Sequence, residues 1–352
     1  PHARGNAMTW GALEGTPLQP ATRRSGRSLS LRAVAAAMTV ALLLALPALA
    51  RAFHVVFVLG VATQVLIYAI AAMSLNLVLG YGGMVTFGQA AFFGLGGYSV
   101  GILHQNFSEG GAFLGLVPGS DSLVICVATA MLVSGCAAAI IGSLSLRASG
   151  VSFIMITLAF AQMLFFLFVS LKTYGGDDGL MMRHRDVAPF FDTGDDANYY
   201  RVCLGLAASW FVLTACIVRS RFGFVLAGLR QNERRLMAMG IAPMPYRLVA
   251  FVIAGIGTGL AGALMANDLR FVSPDMMHWT KSGDLMMMVI VGGTATLIGP
   301  LLGAAAMVLL EASLAAQTEN WPLYLGLILL AIVMLTRGGL AAALDRLFGA
   351  GR

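Results

Sequence analysis

The chain has 352 residues, 59% of them hydrophobic and 11% charged, with a net charge of +6. Soluble domains carry about 25% charged residues, and several runs here exceed the roughly 18 consecutive apolar residues of a membrane-spanning helix. That excludes a soluble fold. The lack of alternating segments of about 10 residues excludes a transmembrane β-barrel. The basic residues are spread over short loops, as orientation signals are, and do not imply nucleic acid. The chain is therefore expected to be an all-α, polytopic helical membrane protein with roughly 8–10 transmembrane helices, some of them glycine-broken or re-entrant.

Residues 1–30 are rich in Gly, Pro, Ser and Arg and read as a disordered cytoplasmic tail. Arg23, Arg24, Arg27 and Arg32 precede a charge-free run from Ala33 to Ala50. Ala48-Leu49-Ala50 resembles a small-residue cleavage site, but the basic lead is long for a signal peptide. The run therefore reads as a retained span, with Arg51 emerging outside. A membrane domain is expected over 31–337 and a C-terminal tail over 338–352.

From Val55 to Leu103 there is no Asp, Glu, Lys or Arg. Gly80-Tyr81-Gly82-Gly83 divides this stretch into helices near 55–79 and 84–103, followed by an outer loop at 104–121. Spans near 122–146 and 150–171 lead to an acidic outer loop, 172–200, with Asp177, Asp178, Asp186, Asp192, Asp195 and Asp196 against Lys172, Arg183 and Arg185. A span near 201–218 then delivers the chain to the basic stretch Arg219–Tyr246. Counting spans from a cytoplasmic N-terminus and reading the charge of this stretch place it on the same, inner side.

Within the basic stretch, Leu229 to Met239 reads as a short helix. Leu229, Leu236 and Met237 fall on one side, and Arg230, Gln231 and Arg234 on another. Gly240 supplies a left-handed stop, and Pro243 and Pro245 forbid continuation. A span near 247–267 carries Gly255, Gly259 and Gly262 at helix-packing spacing, and 269–284 reads as an outer segment. The run Leu285–Leu310 is interrupted by Gly292-Gly293-Thr294 and Gly299-Pro300. A last span at 321–336 precedes Arg337, Arg346 and Arg352. For those arginines to lie inside, 285–310 must cross as two half-helices or dip and return, and that broken reading is the one adopted.

Cys126, Cys136, Cys203 and Cys216 lie in hydrophobic runs without CxxC spacing or a nearby His. They read as apolar packing residues, and no disulfide, metal or cofactor is expected. The chain has no G-x-x-x-x-G-K-[ST], H-E-x-x-H or G-x-S-x-G, so neither ATP hydrolysis nor another catalytic role is expected of it. Asp268, Glu311 and His104 sit near span ends and read as interfacial.

Three constellations remain. Leu75–Gly101 holds glycine at 80, 82, 83, 88, 94, 96, 97 and 101. Close helix packing accounts for part of that density. A backbone break presenting free N–H and C=O groups to a solute accounts for the rest, with Tyr81, Thr86 and Gln89 as the polar side chains nearby. The Gly292–Gly303 break could be its partner in the C-terminal half. Tyr81, Gly82, Gly83, Thr86, Gln89, Gly94, Gly97, Gly292, Gly293 and Thr294 are the candidate pathway residues. The third constellation is the basic helix, about 229–240, where a rigid element between two spans can transmit a push.

The run Leu75-Asn76-Leu77…Gly80-Tyr81-Gly82-Gly83…Phe87-Gly88-Gln89-Ala90-Ala91-Phe92-Phe93-Gly94-Leu95-Gly96-Gly97-Tyr98 resembles branched-chain amino acid ABC transporter permeases of the LivM type. So do Gly176-Asp177-Asp178-Gly179-Leu180, Arg230-Gln231-Asn232-Glu233…Gly240-Ile241, Phe271-Val272-Ser273-Pro274, and Gly292-Gly293…Gly299-Pro300-Leu301-Leu302-Gly303, in order over about 55–315. The resemblance implies the transmembrane subunit of an ATP-driven importer in a bacterial inner membrane. It also implies a homologous second permease, two cytoplasmic ATPase subunits and an extracytoplasmic binding protein. Arg230, Asn232, Glu233, Arg234, Ala238 and Gly240 would then form the coupling loop, since Glu233…Gly240 fits the Glu…Gly pattern of such loops. Similar permeases carry urea or short amides, so the solute is either a branched-chain or other hydrophobic amino acid or one of those. A secondary carrier or facilitative channel is the alternative from another class.

Overall fold

In a membrane, each backbone amide must find its partner within its own segment, so long apolar runs fold as helices. The computed structural model describes residue 47 and residues 56–109, 112–113, 117–187, 193–335 and 338–347. The tail 1–30, the run 33–50 (apart from Pro47), Arg51, Asp192, Arg337 and Arg352 lie outside the described residues. The helices are α1 (Val56–Asn76), α2 (Gln89–Glu109), α3 (Leu123–Ser145), α4 (Val151–Ser170), α5 (Asp196–Arg219), α6 (Arg221–Gln231), α7 (Glu233–Ala238), α8 (Pro243–Leu269), α9 (Trp279–Gly292), α10 (Gly299–Ala315), α11 (Trp321–Leu335) and α12 (Gly339–Leu347). Among the described residues, five helical stretches are long and apolar enough to cross a membrane: Phe57–Tyr81, α3, α4, α5 and α8. α10 and most of α11 are shorter apolar helices. The protein is a polytopic helical membrane protein.

α2 is the central helix, buried without a break from Gly88 to His104. A helix enclosed on every side has no lipid-facing stripe and can carry small residues wherever a neighbour crosses. α8 crosses it with backbone in contact. A Cβ added at Gly96 would lie 2.0 Å from the Gly259 carbonyl oxygen, and one at Gly262 would lie 1.8 Å from that of Phe93. α3 packs along the other flank of α8, with Gly255 against Ala138 and Gly259 against Ser134. Close packing is thus the use made of the glycines from 94 to 101.

The two ends of the bundle differ in charge. At the far end, β3 (Leu180–Met181) pairs antiparallel with β4 (Phe271–Val272), joining two of the sequence motifs. Arg185 there donates to Asp196 at 2.6 Å, reaches Asp268 at 3.5 Å and lies over the Tyr199 ring. Asp186 is buried against His104 at 3.3 Å and Asn267 at 3.0 Å. His104 and Asp268 are therefore not loose interfacial residues; they fasten the acidic loop to the bundle. A second two-stranded pair, β1 (Ala112–Phe113) with β2 (Val117–Pro118), lies in the connection between α2, which runs on to Glu109 rather than ending near 103, and α3.

Three further expectations are corrected. The second helix begins at Gln89 rather than near 84, because 83–88 forms no helix and Gly83 turns the chain at φ +67°. The 269–284 segment is not an outer loop. After β4 it turns into the bundle, where Met276 and Met277 are buried, Met277 directly against Gly94. α9 then continues to the basic end. The basic stretch is not one helix from Leu229 to Met239. It breaks at Asn232, which is extended and caps α7 by accepting from the Arg235 N–H at 3.0 Å.

The 285–310 run forms an antiparallel hairpin, α9 down and α10 back. Gly292 meets Gly299, and a Cβ at Gly303 would lie 1.8 Å from the Met288 carbonyl oxygen. Beyond α11, Gly338 and Gly339 pack on Gly293, so the chain returns to the end that holds the hairpin turn and the basic stretch. The broken reading of 285–310 agrees with this path.

Candidate functional site

The site is built where α1 stops being an α-helix. Residues Leu77–Tyr81 form a π-helical turn, with the Gly82 N–H donating to Leu77 O at 3.0 Å and the Met84 N–H to Val78 O at 3.0 Å. The cause is Asn76, whose side chain is buried and turned toward the α9–α10 hairpin. Its Nδ2 donates to Thr296 O at 2.8 Å, and its Oδ1 accepts from the Ala295 N–H at 3.0 Å. Gly80 must be glycine, since a Cβ there would lie 2.0 Å from Asn76 Oδ1 and 2.6 Å from Ala295 N. The widened turn leaves the Gly80 carbonyl free, and Arg230 Nη1 of α6 donates to it. Arg230 also lays its side-chain stem against Gly83.

The non-helical 83–88 segment is held at its other end as well. Ser282 of α9 donates to Phe87 O at 2.6 Å and accepts from the Ala90 N–H at 2.8 Å, supplying the cap that α2 lacks in its own sequence. Gln89 is buried and accepts from Thr258 of α8 at 2.9 Å. Residues 76–90 are thus tethered to α6, α8, α9 and the hairpin turn at once.

Of the candidate pathway residues, Tyr81, Gly82 and Gly83 lie at this node, Tyr81 packed on the Leu77–Leu226–Ala250 cluster and Gly83 against Arg230, while Gly292 and Gly293 lie in the hairpin against Gly299 and Gly338. Thr294 is exposed on the hairpin turn. Thr86 is buried and accepts from the Gly88 N–H at 3.1 Å, a local turn contact. Gly94 and Gly97 sit deeper, against Met277 and Met276. The two glycine breaks, 220 residues apart in sequence at Asn76 and Thr296, meet directly.

Of the candidate coupling residues, Arg230 turns inward to the node. Glu233 pairs through both oxygens with Arg247 of α8, at 3.0 and 2.8 Å. Leu236 is buried against Gly228 of α6. α7 ends in a Schellman motif: Gly240 adopts φ +83°, the Ile241 N–H donates to Leu236 O, and the Gly240 N–H donates to Met237 O. Arg234, Arg235, Met237, Ala238, Met239 and Gly240 face outward as a mixed basic and apolar surface. α6 itself is fixed by Leu226, which is buried with Leu77 and Ala250.

Sequence reasoning missed Asn76, Ser282, Thr258 and Arg247. Their partners lie 14 to 220 residues away, and nothing local marks them. It also missed Lys281, assigned above to an outer loop, which lies beside Tyr68, halfway along the first described span.

The family described as "Branched-chain amino acid transport system / permease component" matches residues 57–336. The chain belongs to this family. The permease is 25% identical over 272 residues to the high-affinity branched-chain amino acid transport system permease protein LivM of Salmonella typhimurium. It is 24% identical over 272 residues to that of Escherichia coli. In each case the match covers 70% of this chain and 61% of the relative, so the permease spans about three-fifths of the length of these relatives. No solved structure matches it.

Proposed function

We propose that the permease is the membrane-spanning subunit of an ATP-driven importer in a bacterial inner membrane, carrying branched-chain or other hydrophobic amino acids. In this reading it pairs with a homologous second permease, takes solute from an extracytoplasmic binding protein and is driven by two cytoplasmic ATPase subunits. The observation that carries the reading is the node. The basic element α6–α7, the break at Gly80–Gly83 and the turn between α9 and α10 are joined by Arg230, Asn76 and Leu226. A push on the outward face of α7 would pass through Leu236 and the Glu233–Arg247 pair into α6 and α8. It would move the tethered 76–90 segment and the hairpin with it. That is a lever connected to the parts of the wall least committed to regular helix, as alternating access requires.

Crosslinking tests the docking. With Arg234→Cys or Met237→Cys, an ATPase subunit bearing a cysteine in its permease-facing cleft is expected to be captured in the assembled complex. Capture should be lost when the cysteine is moved to Gly205, on the opposite part of α5. An assembled, ATP-hydrolysing complex that gives no capture at either position refutes docking on α7.

Lys281, Asp284 and Glu311 give some support to an ion-coupled carrier, because ionisable groups beside a membrane span are the usual mark of one. Liposomes separate the two readings. Solute accumulation by the permease alone, driven by a proton or sodium gradient, would establish the carrier. Dependence on ATP and the partner subunits would establish the importer.

A further inference from the structure

A cleft of about 690 Å³ opens on the flank of the bundle, between the far halves of α1 and α10, the start of α9 and the last turns of α8. Its lining includes the aliphatic Val61, Met265 and Val308 and the polar Tyr68, Lys281 and Glu311. Lys281 Nζ lies 3.7 Å from Asp284 Oδ2, and both side chains are about two-fifths exposed. A pair that long and that open contributes little to stability, so it does not explain why a cation and two acids stand at the level of Tyr68. Ionisable groups at such a depth are costly and are kept for a solute or an ion path. α9 begins there, in mid-bundle, because Met276 and Met277 have already brought the chain inward against α2. Solute sites of transporters are commonly built at such interrupted helices.

A cation, a carboxylate and branched aliphatic side chains lining one cleft complement one kind of small molecule. It bears a carboxylate, an ammonium group and an apolar substituent. We propose that this cleft receives the solute as an amino-acid zwitterion, Lys281 taking its carboxylate, Glu311 its ammonium group, and Val61 and Val308 its side chain. The proposal rests on the importer reading and adds to it the residues that choose the solute. Urea or a simple amide has no ionised group to set against Lys281 or Glu311, so it would gain none of the charge-assisted contacts that favour an amino acid here.

The test uses the complex assembled with its ATPases and binding protein in liposomes, with labelled leucine. Lys281→Met and Glu311→Gln, in complexes shown to contain every subunit, are each expected to lower leucine uptake by about tenfold or more, the scale of a lost charge-assisted contact. Competition should change with the group removed. Leucinamide, which lacks the carboxylate, should compete as well as leucine in Lys281→Met. 4-Methylpentanoate, which lacks the ammonium group, should do so in Glu311→Gln. Should a variant fail to assemble, Ala312→Cys on the cleft wall, with Cys136 and Cys216 replaced by Ser, reports on the same site. Its modification by a charged thiosulfonate should be slowed by leucine and not by urea. Leucine uptake unchanged in both assembled variants, or no protection by leucine at Ala312→Cys, overturns the cleft proposal and leaves the importer standing. A parent complex that pumps urea and not leucine overturns the amino-acid reading itself, whatever the variants do.

Discussion

Asn76→Ala removes the side chain that joins the two glycine breaks. Two backbone groups, the Ala295 N–H and the Thr296 C=O, lose their partners. Each unpaired group costs about 1–3 kcal/mol when buried. Ala295 and Thr296 are half-buried, so the lower part of that range applies and the pair amounts to about 2–3 kcal/mol. Ala295 adds to the strain, because its φ of +59° places a non-glycine residue in the left-handed region, at about 1–2 kcal/mol. The Asn76 contact is what holds it there. At 1.4 kcal/mol per tenfold, local opening of the turn should become roughly 30- to 150-fold more frequent. Hydrogen exchange read by mass spectrometry on the purified permease measures this directly. Peptides covering 293–298 and 77–84 should exchange faster by that factor, while peptides within α3 and α4 should not change. Ala295→Gly in the same background should recover about 0.5–1 kcal/mol, the relieved strain less the extra freedom glycine brings to the unfolded chain. Exchange at 293–298 within threefold of the parent, in a folded Asn76→Ala protein, would refute the claim that this side chain joins the breaks.

Further outcomes follow from the same geometry. Arg230→Ala should leave ATPase subunits bound but cut solute moved per ATP hydrolysed. Arg230→Lys should restore much of it, because the link is one donor to the Gly80 carbonyl; equal coupling in all three proteins would show that the link carries no motion. Gly96→Ala should collapse folded yield and lower the melting temperature, since its Cβ would meet backbone at 2.0 Å. Gly205→Ala, with open space around it, should be neutral or stabilise by up to about 1 kcal/mol. A folded, unshifted Gly96→Ala would refute backbone contact between α2 and α8. A double-mutant cycle on Glu233→Gln and Arg247→Gln should give a coupling of about 0.5–1 kcal/mol that shrinks with salt. A coupling near zero at low salt would remove this pair from the lever.

Much of the fold can be read from the chain because of one constraint. An amide in a membrane must be paired within its own segment, so apolar length alone locates α3, α4, α5 and α8 to within a few residues. Charge marks the basic stretch as one end of the bundle. The family motifs name the class of protein. The partners of single side chains are different in kind. The pattern in sequence around Asn76, Arg230, Ser282 or Lys281 is the same whether the side chain faces lipid, water or another helix. A polar residue is placed by what crosses it, and crossings are long-range. The hairpin of α9 and α10 brought the second break to the first, and the inward turn at Met276 carried Lys281 from an apparent outer loop to mid-bundle. The sequence by itself determined which segments are helical and which end is basic, because those depend on composition within a single segment. Only the tertiary structure decided that the breaks, the lever and the charged cleft lie where they do, because that depends on which glycines let two backbones touch.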